Sequence, residues 1–196
     1  MSEDALENII NVFKEKLALD CTDKILEVGC GSGMILEPLS KQVSSVAGVD
    51  FASSLIAKIQ QIIPNGEFHI AEANSLPFDS CTFDKILSFS VFQYFPDFGY
   101  AQDVLNEMVR CIKNKGRICI CDIPDLARKQ LSEETRTQNA AHKDFKDDGL
   151  RHLYYPQVFF SSFFKDLDYK SEVFDNVVNG YINSNFRFNV VAYVQK

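Results

Sequence analysis

The residues with the clearest chemical potential are two carboxylates set around a run of glycines. Glu27 leads through Val28 into Gly29-Cys30-Gly31-Ser32-Gly33, and Asp50 ends the next apolar run, Val46-Ala47-Gly48-Val49. Glycine adopts positive φ without a Cβ penalty and lets a ligand lie close to the main chain. A helix that opens after such a turn presents unpaired N–H groups to whatever sits above the sheet. An acid at the end of the neighbouring strand is where a ribose hydroxyl pair is held in nucleoside-binding α/β sheets. The pattern implies capture of a nucleoside. A pyrophosphate is disfavoured, because the dinucleotide fingerprint places its third glycine where Met34 stands.

These residues need strands to carry them and helices to cover the strands. Residues 24–28 read as a short buried parallel strand, and apolar runs over 46–49, 67–71, 86–89 and 117–122 continue the series. Before them, residues 2–17 carry Leu6, Ile9, Ile10, Phe13 and Leu17 at helical spacing, with Glu3 and Asp4 in the first turn. A second helix is expected over 34–43, with Pro38 forcing a late start or a kink. Ser53 or Ser54 is placed to cap a third, running up to Pro64. A fourth is expected over 100–112, turned by Asn114-Lys115-Gly116. After Tyr154-Tyr155-Pro156, Phe159, Phe160, Phe163 and Phe164 form a stripe whose plain reading is core. Residues 169–174 and 186–194 alternate as two final strands, joined through Asn179-Gly180.

Composition narrows the function classes. A chain of 196 residues, 46% hydrophobic and 12% aromatic, fits one domain with a substantial core. A net charge of −7 argues against nucleic acid or an anionic membrane, both of which need a basic footprint. No run reaches the length of a membrane span, and the first residues lack a secretory apolar core. The six cysteines form no C-x-x-C pair, and Cys30, Cys111 and Cys119 lie in apolar contexts that suit small buried thiols. A cytoplasmic protein, monomeric or homodimeric, without a metal site, is the expectation.

The pattern E-x-G-x-G-x-G followed by V-D resembles the class I S-adenosylmethionine-dependent methyltransferases, in particular the type 11-like methyltransferase domain. Later residues extend the likeness: Leu76-Pro77-Phe78 after an acid-Ala pair, then Phe83-Asp84 opening a hydrophobic stretch that runs to Asp97. The first 125 residues match specifically and the remainder by element order. The resemblance implies a Rossmann-like α/β fold with seven mostly parallel strands, helices on both faces and a C-terminal antiparallel strand pair. It implies S-adenosylmethionine as cofactor, with Asp50 on the ribose hydroxyls, Phe51 beside it, and Glu27 supporting the amino group. Gly29, Cys30, Gly31 and Gly33 would lie along the methionine portion. Glu72 would meet the adenine amino group and Ala73 the ring, the alternative being that Leu76-Pro77-Phe78 merely anchors a loop. Ser88 and Phe89 would meet the methionine part, while Gln93 and Tyr94 are pocket candidates or ordinary helix packing. No Asn-Pro-Pro-Tyr clamp follows that strand, which disfavours a nucleic-acid base as substrate.

The sulfonium methyl is already electrophilic, so transfer to a small-molecule acceptor needs placement and desolvation. A base is required only where the acceptor loses a proton. Tyr94, Asp122 and His152 are the candidates. Asp122 stands at a strand end, where it could instead cap a turn. The charge-rich residues 125–153, with His142 and His152, read either as a solvated helical face or as a cover over the site; the cover is expected. A nicotinamide-dependent oxidoreductase and a non-catalytic S-adenosylmethionine-binding protein are the competing functions.

Overall fold

Two apolar faces on one sheet, each needing a layer of helices, organise the chain. The computed structural model describes residues 1–141, 151–175 and 177–194. Its sheet has seven strands: β1 (Lys24–Val28), β2 (Ser45–Asp50), β3 (Glu67–Ile70), β4 (Phe83–Phe89), β5 (Ile112–Pro124), β6 (Tyr169–Phe174) and β7 (Arg187–Val194). Their order is β3-β2-β1-β4-β5-β7-β6. The first five pair in parallel, and β7 runs antiparallel to both β5 and β6. The order reverses between β1 and β4, the switch point at whose carboxyl strand ends open α/β sheets bind their ligands.

One face is covered by α1 (Glu3–Leu17), α2 (Leu36–Ser40) and α3 (Ser53–Ile62), whose Phe13, Leu17, Leu36, Leu39, Ile56 and Ile59 pack with Ile25, Leu87 and Cys119. The other is covered by α4 (Phe98–Cys111) and α6 (Gln157–Asp166). There Leu105, Met108, Phe160 and Phe164 pack with Ile86, Ile118 and Phe188. The aromatic stripe divides as helical spacing requires, Phe160 and Phe164 fully buried and Phe159 and Phe163 partly so; each full burial stabilises by about 2 kcal/mol. Ser2 caps α1 by accepting from the Ala5 N–H at 3.2 Å. Among the described residues no helix is long and apolar enough to cross a membrane.

Several expected boundaries move. The second helix covers only Leu36–Ser40 of the expected 34–43, the late start that Pro38 suggested. Neither Ser53 nor Ser54 caps α3: Ala52 is the N-cap, and its N–H donates instead to Asp50 Oδ1 at 2.9 Å. Asn114-Lys115-Gly116 does not turn a helix end, because α4 stops at Cys111 and these residues lie within β5. The β4–β5 register shifts between Phe83–Ile112 and Lys85–Arg117, so the intervening residues bulge. Gly116 is needed there for space: a Cβ would strike Ile112 and sit 2.8 Å from the Asp84 carbonyl. Asp122 does not cap the turn after β5; Asp125 does, accepting from the Ala127 N–H at 2.9 Å. Within 125–153, Leu126–Arg128 form a 3-10 turn and α5 spans Lys129–Ala141. His142 and the charged residues from Lys143 to Asp148 lie outside the described residues, so the expected cover is described only in part.

Candidate functional site

The glycine loop leaves β1 and is stitched at once to β2. The N–H groups of Gly29 and Cys30 both donate to the Val49 carbonyl, at 2.8 and 2.9 Å. Gly29, Gly31 and Gly33 all have positive φ, at 77°, 51° and 92°, which is why the sequence alternates glycines here. Their surroundings differ. A Cβ on Gly29 would collide with Val91 and one on Gly33 would meet Ile59 at 2.9 Å, whereas one on Gly31 would meet nothing within 4 Å. Gly29 and Gly33 therefore allow close packing, and Gly31 leaves its main chain open to the crevice.

Asp50 turns back over this loop. Its Oδ2 accepts from the Gly31 N–H at 2.9 Å and its Oδ1 from the Ala52 N–H. Two main-chain donors thus fix the carboxylate, and each oxygen keeps a lone pair for a further donor. Glu27, one strand over, is buried, and its Oε2 has no hydrogen-bond partner among the described residues. Burial first, and then the Asp50 carboxylate, push the Glu27 carboxyl well above the usual range. A buried acid with an unpaired oxygen beside an open glycine is a fitting receptor for a cation. A nucleoside with a positively charged tail fits this donor set.

The other expected cofactor residues differ in exposure. Phe51 is 74% exposed, a bare aromatic face directly after Asp50. Cys30 is buried beneath the loop against Gly48, where burial, then Glu27 and Asp50, push its thiol up; it is a packing group. Ser88 is fully buried with Oγ unpartnered, and Phe89 ends β4 beside it. Glu72 and Ala73 sit on the loop after β3, whose Ala71 N–H donates to the Asp50 carbonyl at 3.1 Å.

That loop is held by residues the sequence reading missed. The Tyr100 hydroxyl donates to Glu72 Oε2 at 2.7 Å, and burial together with Glu72 pushes the phenol up to about 12. Arg110 Nη1 donates to the Phe78 carbonyl at 2.7 Å and Nη2 to the Leu76 carbonyl at 3.0 Å. Glu107 Oε2 accepts from the Leu76 N–H at 2.8 Å and pairs with the same guanidinium. Helix α4 therefore grips the loop at three main-chain points. Leu76 and Phe78 also anchor it apolarly, so both readings of that segment describe part of it. A carboxylate followed by an arginine at i+3 was the available signal, though it says nothing of which loop the pair holds.

The three base candidates do not converge. Tyr94 is exposed and packs edge-to-face on His152, ring centroids 5.6 Å apart. Gln93 is buried and donates to Ser90. Asp122 is buried at the end of β5 and bonded to Tyr181, a residue absent from the expected set.

Comparison with known proteins agrees with this geometry. Residues 26–120 match the family model described as a methyltransferase domain. The chain is 35% identical over 91 residues to malonyl-[acyl-carrier protein] O-methyltransferase of Bacillus cereus, covering 44% of this chain and 34% of that protein. It is 29% identical over 103 residues to demethylmenaquinone methyltransferase of Thermotoga maritima, covering 52% and 44%. The matches thus span less than half the length of either relative. Among solved structures, the YcgJ protein of Bacillus subtilis superposes with a TM-score of 0.73 at 14% identity, covering 100% of both chains.

Proposed function

We propose that this chain, whose residues 26–120 match a methyltransferase domain model, is a class I S-adenosylmethionine-dependent methyltransferase that transfers the methyl group of S-adenosylmethionine to a small-molecule acceptor by direct in-line displacement. The charge around the glycine loop carries this reading. Glu27 and Asp50 flank the loop, and the Gly31 N–H that a diphosphate would need is already given to Asp50. The Asp50 carboxylate disfavours a pyrophosphate beside it, and Glu27 gains its charge beside a cation, which favours the sulfonium nucleoside over a nicotinamide dinucleotide.

The bound cofactor supplies a methyl group made electrophilic by its positive sulfur. The protein supplies position and dryness. Asp50, locked by two N–H donors, would accept the ribose hydroxyls. Glu27 would meet the ammonium, and its ionisation is favoured once a cation is beside it. Glu72, steadied by Tyr100, would accept from the adenine amino group, with the Ala73 N–H toward the ring. Gly31 would let the methionine chain lie on the backbone, with Ser88 and Phe89 bordering it.

The acceptors named in the relatives and the net charge of −7 support a small organic acceptor over a nucleic acid. Six free thiols, with Cys21 and Cys81 exposed, suit a reducing cytoplasmic setting. Calorimetric titration with S-adenosylhomocysteine tests the cofactor, with NAD as control and Asp50→Ala beside the parent. We expect micromolar binding of the first ligand, weakened roughly 100-fold in the variant, as loss of two charge-assisted hydrogen bonds implies. Binding of NAD alone would overturn the reading.

A further inference from the structure

A second polar assembly stands at the carboxyl ends of β4 and β5, one strand beyond the glycine loop. Two non-glycine residues there, Ser90 and Asp122, have positive φ, at 58° and 65°. Such backbone persists only where its surroundings over-determine it, and it gathers at functional sites. The surroundings are specific. Ser90 N–H donates to the Cys121 carbonyl at 3.1 Å, and Gln93 Nε2 donates to the Ser90 carbonyl and hydroxyl at 2.8 and 2.7 Å. The Asp122 N–H donates to Asn189 Oδ1 at 2.9 Å.

These bonds set the Asp122 side chain among Tyr181, Ser90 and Arg187. Its Oδ2 accepts from the Tyr181 hydroxyl at 2.7 Å, while Oδ1 faces Arg187 Nε at 3.7 Å without a hydrogen bond. Asp122 and Arg187 are sealed in, whereas Tyr181 is only partly buried and its ring lies 6.4 Å from that of Phe89, at the crevice end of β4. The phenol thus links a partly buried ring beside Phe89 to a buried charge pair. Asn183 also bonds its oxygen, which leaves room for one further donor.

We propose that Tyr181 and Asp122 form the proton-accepting dyad of the transfer site, and that the acceptor presents a hydroxyl group. This rests on the methyltransferase reading. As the acceptor oxygen gains its methyl, its O–H bond breaks and the proton passes to Tyr181 Oη. The phenol's own proton passes to Asp122 Oδ2. One carboxylate becomes a carboxylic acid, and no oxidant or further reactant is needed. Tyr181 touches the acceptor; Asp122 acts through it. Burial raises the Asp122 carboxyl while Arg187 pulls it back, which makes it a stronger base than an exposed aspartate.

The test uses the full chain with Asp122→Asn, which keeps shape and tolerates positive φ, and Tyr181→Phe. S-adenosylhomocysteine affinity is measured first; absence of binding in the parent overturns the cofactor reading and this proposal with it. Methyl transfer from radiolabelled S-adenosylmethionine is then followed with catechol, 4-methylumbelliferone and 1-octanol, against octanoate and octylamine. We expect transfer to a hydroxyl probe, with kcat down at least 100-fold in both variants and KM and S-adenosylhomocysteine affinity within threefold. The parent rate should rise with pH as Asp122 ionises, among Arg187, Tyr181, Ser90 and Cys121, and Asp122→Asn should lose that limb. In protein carrying 13Cζ-tyrosine, the resonance missing from Tyr181→Phe should move over the same pH range in the parent and stand still in Asp122→Asn. Transfer to octanoate or octylamine alone, no transfer to any hydroxyl probe, variants within threefold of the parent, or an unmoving Tyr181 resonance would overturn the dyad.

Discussion

The two halves of the crevice are built in opposite ways. At the ends of β1 and β2, every positive φ in the loop belongs to a glycine, and the carboxylate that governs it is held by main-chain donors only two and nineteen residues away. At the ends of β4 and β5, the positive φ values fall on serine and aspartate, and the controlling bonds come from Tyr181 and Asn189, 59 and 67 residues away. The first half is a local device that suits a constant ligand. The second is assembled from distant strands, and its geometry changes whenever the β6–β7 connection changes. A constant cofactor at the first half and a variable acceptor at the second, as proposed, would call for that division.

Stripping the charge pair from the second half should have the largest effect. Arg187→Met leaves the buried Asp122 carboxylate without its counter-charge and should cost about 3 kcal/mol in chemical denaturation at neutral pH, since unpairing a buried ion costs several kcal/mol. Asp122 is already raised above an ordinary aspartate, so the folded form holds its proton more tightly than the unfolded chain. The loss should therefore shrink as pH falls, because protonation removes the unpaired charge.

A smaller effect tests the first half. Gly29→Ala should cost about 2 kcal/mol, part from positive φ and part from collision with Val91. Adding Val91→Ala relieves only the collision, so the double variant should recover part of the loss in a mutant cycle. Full recovery would mean that φ carries no penalty.

The smallest effect is on a slope. Glu27 is raised by burial and by Asp50, so its contribution to stability is fully present below the ordinary carboxylate range and is lost as pH rises from there through its elevated folded value. Glu27→Gln should flatten that decline in denaturation midpoints above about pH 5 and weaken S-adenosylhomocysteine binding about tenfold, the value of one charge-assisted hydrogen bond. An unchanged slope would show that Glu27 titrates normally.

What the sequence disclosed follows the same division. The strands before the glycine loop and Asp50, the glycine turn and the apolar faces of the helices are written in periodicity and short-range spacing, while the sheet's architecture was legible only through the family resemblance. The start of β5 was not, because Gly116 looks like a helix terminator and its need for space depends on Asp84 from the neighbouring strand. The α3 cap was misplaced because an aspartate two residues earlier took the role expected of a serine. Asp122 was visible as an acid at a strand end. Its partners Tyr181, Arg187 and Asn189 were invisible, since only the antiparallel return of β7 brings them to β5. Tyr100 and Arg110 were hidden in the same way, on a helix whose pattern reports only its buried face.

Gly29 and Val91 are a place where the two halves meet closely. Val91 belongs to the turn that carries Ser90 and Gln93, and it fills the space a side chain at Gly29 would need. Under the proposed function, movement of that turn to admit an acceptor would be felt by the loop proposed to hold the cofactor. Binding at the two halves is then energetically linked, and the linkage is mutual: by whatever factor the acceptor alters the grip on the cofactor, the cofactor alters the grip on the acceptor.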